Sequence, residues 1–160
     1  MSKAKNITIF LLIPLAVILL LYLNARIMSQ QYGSDQVDWD QYKAELSTDF
    51  RNLSFKAGDN RELLIQIENE GTMTWISEGE SPIFLSYRIK NDPEGDYIRE
   101  GDRFYFLEAV RPGEQTELAV KIEAPLNPGQ YFAVIDLVHE GVAWFEDRGS
   151  EPLVIELEVN

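Results

Sequence analysis

The sequence predicts an all-β domain, an antiparallel β-sandwich, preceded by one N-terminal transmembrane helix. Three observations carry this reading: a single long apolar run near the start, short alternating segments punctuated by Pro, Gly, Asn and Asp beyond residue 52, and no sustained helical period in that second part.

The apolar run is Ile7 to Leu23, ITIFLLIPLAVILLLYL. Its 17 residues cover about 25 Å as a helix, near the lower limit for crossing a hydrocarbon core, and extension through Asn24 to Met28 adds margin. Pro14 removes one backbone hydrogen bond, a defect membrane helices accept, and Tyr22 suits the outer interface. Lys3 and Lys5 precede the run and Arg26 follows it, so the short end is expected in the cytoplasm. The competing reading is a cleaved signal peptide. The run exceeds the usual apolar core and lacks an A-x-A ending, which favours a retained anchor. No cysteine is present, so a lipid-modified cysteine, disulfides, thiolate zinc sites and cysteine nucleophiles are all excluded.

The boundaries that follow are a cytoplasmic N-terminus over 1–6, the helix over 7–28, a juxtamembrane tether over 29–50, and an extracytoplasmic sandwich over 51–160. This is one domain's worth of chain. The expected location is a bacterial inner membrane, with the domain periplasmic or extracellular. The chain carries a formal charge of -13, and the part beyond residue 28 holds 11 basic against 27 acidic residues. A surface of that sign repels nucleic acid and anionic headgroups.

Within the tether, SQQYGS over residues 29–34 is polar, and DQVDWDQYKAEL follows. Asp35 capping a short helix with Trp39, Tyr42 and Leu46 on one face is one reading; Tyr42, Ala44 and Leu46 alternating as a first strand is the other. Val37, Trp39 and Tyr42 stand close to the membrane in either case, as candidate interface residues.

Strands are expected at Leu53–Phe55, Glu62–Glu68, around Trp75, at Ile83–Lys90 with Ile83, Leu85, Tyr87 and Ile89 on the core face, at Tyr97–Arg99, and in the aromatic stretch Arg103–Ala109. Glu117–Glu123 alternates Leu118, Val120 and Ile122 inward against Glu117, Lys121 and Glu123, the cleanest half-buried strand. Tyr131–Val138 is apolar on both faces, as a central strand requires. Val142–Phe145 and Pro152–Val159 complete seven to nine strands at sandwich spacing.

Several stretches go beyond generic β. They are Asn69-Glu70-Gly71 with Trp75, Leu85-Ser86-Tyr87, Gly101-Asp102-Arg103, Val110-Arg111-Pro112-Gly113-Glu114, Asn127-Pro128-Gly129-Gln130-Tyr131, and IDLVHEGVAWF over residues 135–145. Together they resemble an immunoglobulin-like module of bacterial surface and glycan-handling proteins, with a DLVxEGxxWF motif, and are similar to the Trp-containing Ig-like domain of the autophagy receptor next-to-BRCA1. The resemblance spans roughly residues 60–150 and implies an immunoglobulin-like sandwich with no fixed function. It departs at Arg88-Ile89, where the pattern often has His-Trp, and at Phe104-Tyr105-Phe106. Tyr131, opening a late strand after Pro-Gly, is placed as a tyrosine corner.

Asp136 falls among Phe132, Val134 and Val138 on one face of its strand and needs a partner; Arg88 or Arg103 is expected to supply a structural ion pair. Asp136, His139, Glu140 and Asp147 lack a chelating spacing, because strand neighbours point to opposite faces. The acidic residues from Asp92 to Asp102 do not match a calcium loop. With no nucleophile elbow and no phosphate loop, no catalytic, metal or cofactor residue is assigned.

The functional expectation is a non-enzymatic membrane-anchored domain that contacts other subunits of a larger membrane complex, photosynthetic or respiratory in one reading. Tyr105, Trp144 and Phe145 join the candidate interface set. A carbohydrate-binding module, stacking aromatics on sugar rings, is the alternative.

Overall fold

A computed structural model describes residues 39–160. The expected membrane helix over 7–28 and the part of the tether over 29–38, with Val37 in it, lie outside the described residues. Among the described residues no helix is long and apolar enough to cross a membrane.

Two sheets face each other. A 3-10 turn over Trp39–Tyr42 leads into β1 (Glu45–Ser47), so the helix and strand readings of this segment each hold in part. Tyr42 and Ala44 are buried, as the alternating pattern requires. The chain then crosses to the opposite sheet as β2 (Asn52–Phe55) and returns as β3 (Asn60–Glu68). β4 (Ile83–Lys90), β5 (Tyr97–Glu100), β6 (Gln115–Glu123), β7 (Gly129–His139), β8 (Ala143–Trp144) and β9 (Leu153–Val159) follow, with a second 3-10 turn at Glu146–Arg148.

The smaller sheet has the order β1-β3-β6; the larger runs β2-β9-β7-β4-β5, with β8 pairing β7. Every pair is antiparallel except β2 with β9, which is parallel. This corrects the all-antiparallel expectation. β2 and β9 run side by side in the same direction, Asn52 opposite Glu156 and Phe55 opposite Val159.

Between the sheets lie Leu63, Ile65 and Ile67 of β3, Val120 and Ile122 of β6, Leu85, Tyr87 and Ile89 of β4, Ile135 and Leu137 of β7, and Ile155 and Leu157 of β9, all buried. β7 is central and apolar on both faces, as its sequence indicates. β4 departs from the one-faced reading, because its seven residues from Ile83 to Ile89 are all buried. Phe84 is covered by Tyr105, ring centroids 4.8 Å apart, and Arg88 by two other aromatic rings. Phe104 is the only part of the aromatic stretch that pairs, bridging Leu85.

The motif residues act mainly as loop fasteners. Asn69 is fully buried; its Nδ2 donates to the carbonyls of Met73 (2.8 Å) and Val110 (2.9 Å), and its Oδ1 accepts from the Gly71 N–H. Trp75 bridges Val110 and fills the space between the sheets against Phe106 and Phe145. A Cβ on Gly71 would lie 2.5 Å from the Gln41 carbonyl oxygen, so the turn at Trp39–Tyr42 can rest there only against glycine. Tyr131 donates through its hydroxyl to the Asn127 carbonyl at 3.0 Å, closing the Pro-Gly turn.

Gly101 meets the same constraint in a different place. Its N–H donates to the Tyr87 carbonyl at 2.8 Å, and a Cβ would sit 2.2 Å from the Tyr87 ring. That ring is buried and its hydroxyl accepts from the Glu123 N–H, so it has little room to move. Gly101→Ala is therefore expected to lower stability by about 1–3 kcal/mol, the usual range for forced overpacking, at an unchanged denaturant m-value. Chemical denaturation of the two proteins in parallel checks it; equal midpoints would show that Tyr87 swings away freely.

Candidate functional site

On the outer face of the larger sheet, polar and aromatic side chains of β4, β5, β7 and β8 gather into one cluster. Strand parity explains it: Ser86 and Arg88 of β4, and Asp136 of β7, point away from the space between the sheets. The Arg88 guanidinium lies 3.8 Å from the centroid of the Tyr97 ring and 3.8 Å from that of Trp144. It also pairs with the Glu146 carboxylate, which accepts from the Tyr97 hydroxyl at 2.5 Å. Arg103 lies 5.3 Å over Trp144 and binds Glu140 (2.9 Å), Glu100 (2.5 Å) and the Ser86 hydroxyl (3.1 Å).

The expected partnership of Asp136 with an arginine is not what forms. Arg88 pairs with Glu146, Arg103 with Glu100 and Glu140, and Asp136 accepts from backbone instead: Oδ1 from the Leu137 N–H (2.8 Å), Oδ2 from the Glu146 N–H (2.9 Å). The cause lies in the sheet. β8 and β9 both pair with β7, the first at Val138 and His139, the second only as far as Ile135. Residues 145–152 are inserted between them, so the ladder on that side of β7 is interrupted, and the Asp136 carboxylate takes the place of the missing carbonyls.

Burial pushes the Asp136 carboxyl up to about 7, against the pull of its two N–H donors and of Arg88. Burial likewise raises the Tyr97 phenol, reinforced by its hydrogen bond to Glu146. His139 is lowered by burial; its Nδ1 lies 3.1 Å from the Tyr42 hydroxyl.

Arg88 and Arg103 are each matched by carboxylates, and the Trp144 ring is stacked by their guanidiniums. The assembly clamps the β8 turn to the sheet. Neither a free nucleophile nor an open aromatic platform results, and among the described residues no group of three or more His, Asp or Glu side chains gathers to hold a metal.

A second grouping sits at the end of the sandwich where residue 39 begins. Three loops are bound together there. Ser77 Oγ donates to the Ile83 carbonyl and accepts from the Phe106 N–H, both at 2.8 Å; the Glu140 N–H donates to Pro82; the Val142 N–H donates to His139. From these fixed loops Ile76, Tyr105, Leu107 and Val142 point outward, Leu107 being 97% exposed and Tyr105 60%. Trp39 is half exposed, with the Arg148 guanidinium 5.4 Å over its ring.

Of the interface residues read from sequence, Trp39 and Tyr105 are thus on the surface. Tyr42 and Phe145 are buried, and Trp144 is half-buried under Arg88. Sequence reasoning singled out Tyr97 only as one of several aromatics and missed Glu146, which completes the cluster with it, and Ile76, Leu107 and Val142. Leu107 carried a signal: a large apolar residue beside Glu108, in a stretch that does not alternate.

No protein-family model matches the chain, and no curated protein does. Among solved structures it is similar to a CARDB domain from Pyrococcus furiosus, at 13% identity and a TM-score of 0.43, over 73% of this chain and 92% of that one. The sporulation control protein Spo0M of Bacillus subtilis matches at 14% identity and a TM-score of 0.42, over 74% of this chain and 49% of that one. A β-glucosidase from Listeria innocua matches at 13% and 0.40, over 74% and 16%.

Proposed function

We propose that this chain is a non-enzymatic, single-pass inner-membrane protein. Its extracytoplasmic immunoglobulin-like domain binds another subunit of a membrane complex through the loops at the Trp39 end. The observation that carries the reading is the exposed apolar set Ile76, Tyr105, Leu107 and Val142 on loops already held by hydrogen bonds. Apolar groups on pre-ordered loops bind without the entropic cost of fixing a mobile segment, and an exposed aromatic such as Tyr105 is the kind of anchor a protein partner covers. The apolar run at Ile7–Leu23 supports a membrane setting, in which a lateral partner is available.

A glycan-binding role has less support, since Trp144 and Tyr97 present their rings to Arg88 and not to solvent.

Extraction of the full chain in mild detergent, followed by native electrophoresis and mass identification, tests the proposal. A stoichiometric partner is expected with the parent chain and is expected to be lost from Leu107→Glu, with the melting temperature unchanged. A chain that migrates alone, or a partner indifferent to Leu107→Glu and to Val142→Glu, overturns it.

A further inference from the structure

The two sheets present four edges. β1, β2 and β5 are three or four residues long, short enough to discourage pairing with another chain. β6 is different: nine residues, no proline, no bulge in its register with β3, and β3 as its one strand neighbour among the described residues.

Backbone parity tells which β6 groups face outward. The Ala124 N–H donates to Asp59, on the β3 side, and the Glu123 N–H donates the other way, to the Tyr87 hydroxyl at 3.1 Å. Directions alternate along a strand, so Glu117, Ala119 and Lys121 aim their N–H and C=O groups away from β3. Arg99 and Tyr87 occupy the edge only at Glu123. Among the described residues the span from Glu117 to Lys121 is open.

We infer that this edge pairs with the same edge of a second copy of the chain, antiparallel and centred on Ala119, joining the two three-stranded sheets into one of six strands. The sequence is self-complementary about that centre. Ala119 faces Ala119 of the second copy, small and exposed on both sides; Glu117 faces Lys121, and Lys121 faces Glu117. Directly opposed charges of opposite sign stabilise a cross-strand pair, and like charges there destabilise it. On the inner face the same register sets Leu118 against Val120, covering the half-exposed side of Leu118. Charged side chains on an edge usually guard against such pairing. Here a shift of the centre by two residues would oppose like or unmatched groups, so the charges select one register and do not forbid pairing.

This contact is separate from the loops at the Trp39 end, and its test reads a different residue set. The chain lacks cysteine, so one introduced thiol reports unambiguously. Opposed residues of a hydrogen-bonded antiparallel pair have Cα atoms about 5.5 Å apart, within disulfide range. Full-length Ala119→Cys in detergent, oxidised by air with copper–phenanthroline, is expected to give mostly covalent dimer. Ser54→Cys on the short β2 edge should give at least fivefold less. Glu117→Lys or Lys121→Glu added to Ala119→Cys should cut the yield at least fivefold, and both together should restore it. A yield at Ala119→Cys no greater than at Ser54→Cys overturns the proposal, whether the chain is monomeric or its edge is taken by another protein or by residues 1–38. Charge reversals without effect, or a double reversal without recovery, overturn the register.

Discussion

Phe145→Ala is expected to lower stability by about 3–5 kcal/mol, the range for truncating a fully buried phenylalanine. Phe145 is 0% exposed, and its ring meets Tyr42 edge-on at 5.1 Å and Trp75 at 5.7 Å. Those two rings belong to the segment that leads in from the N-terminal side and to the loop after β3, so one side chain joins three parts of the chain. Edge-to-face pairs add about 0.5–1.5 kcal/mol beyond area burial. For a domain of this size the loss corresponds to a fall in melting temperature well above 10 °C. The same experiment decides between core and interface. Were Phe145 a contact residue for a partner, truncation would leave the melting curve of the isolated chain in place and reduce only its association. A midpoint within about 1 kcal/mol of the parent protein would contradict the packing described above.

That Phe145 is core while its neighbour Trp144 is not follows from period-two alternation, yet sequence could not assign the faces. Trp144 pairs with Val138 on the outer side of β7, and Phe145 turns inward. Both are large and aromatic, so either order would satisfy the pattern. Where most exposed positions of an alternating segment are polar or charged, the sequence reads well: Leu63, Ile65 and Ile67 of β3 and Val120 and Ile122 of β6 are buried as their alternation marks, while Leu118 stays partly exposed. β4 resists such reading, because Ser86 and Arg88 look like a solvent face and are in fact covered. Their cover comes from residues 97, 103 and 144, far apart in sequence and placed only by the sheet order.

The same distance effect explains the arginines. Sequence alone could see that a buried aspartate on β7 needs a partner, and could count cations able to reach it. It could not see the interruption between β8 and β9, which leaves the Leu137 and Glu146 N–H groups turned toward Asp136. Backbone donors then take the carboxylate, and the arginines are freed to stack on Tyr97 and Trp144 and to pair with glutamates. Arg88 is thereby part of a clamp that a planar, permanently charged group suits and an imidazole does not.

The pH dependence of stability should carry the mark of Asp136. Its carboxyl is raised from an ordinary 3.8 to about 7 in the folded protein, chiefly by burial. A raised folded-state value means that the folded protein holds the proton more tightly than the unfolded chain. The stabilisation is therefore fully present below about pH 4 and is lost as pH rises through 7. At about 1.4 kcal/mol per pH decade, the span from 3.8 to about 7 corresponds to roughly 4 kcal/mol. His139 acts with the opposite sign. Burial lowers its pKa, so its contribution falls as pH drops through the ordinary histidine range. The separation comes from Asp136→Asn, which cannot titrate and keeps the shape. One amide group must then face an N–H that the carboxylate accepted, so the variant should be less stable than the parent at every pH, by about 1–3 kcal/mol near pH 8. Its deficit should widen as the pH is lowered from 8 to 5, because only the parent gains from protonation. Urea midpoints of both proteins across that range measure the difference directly. A deficit that stays constant would mean that the two N–H donors and Arg88 hold Asp136 ionised throughout, and that the carboxylate mends the interrupted ladder without storing any response to pH.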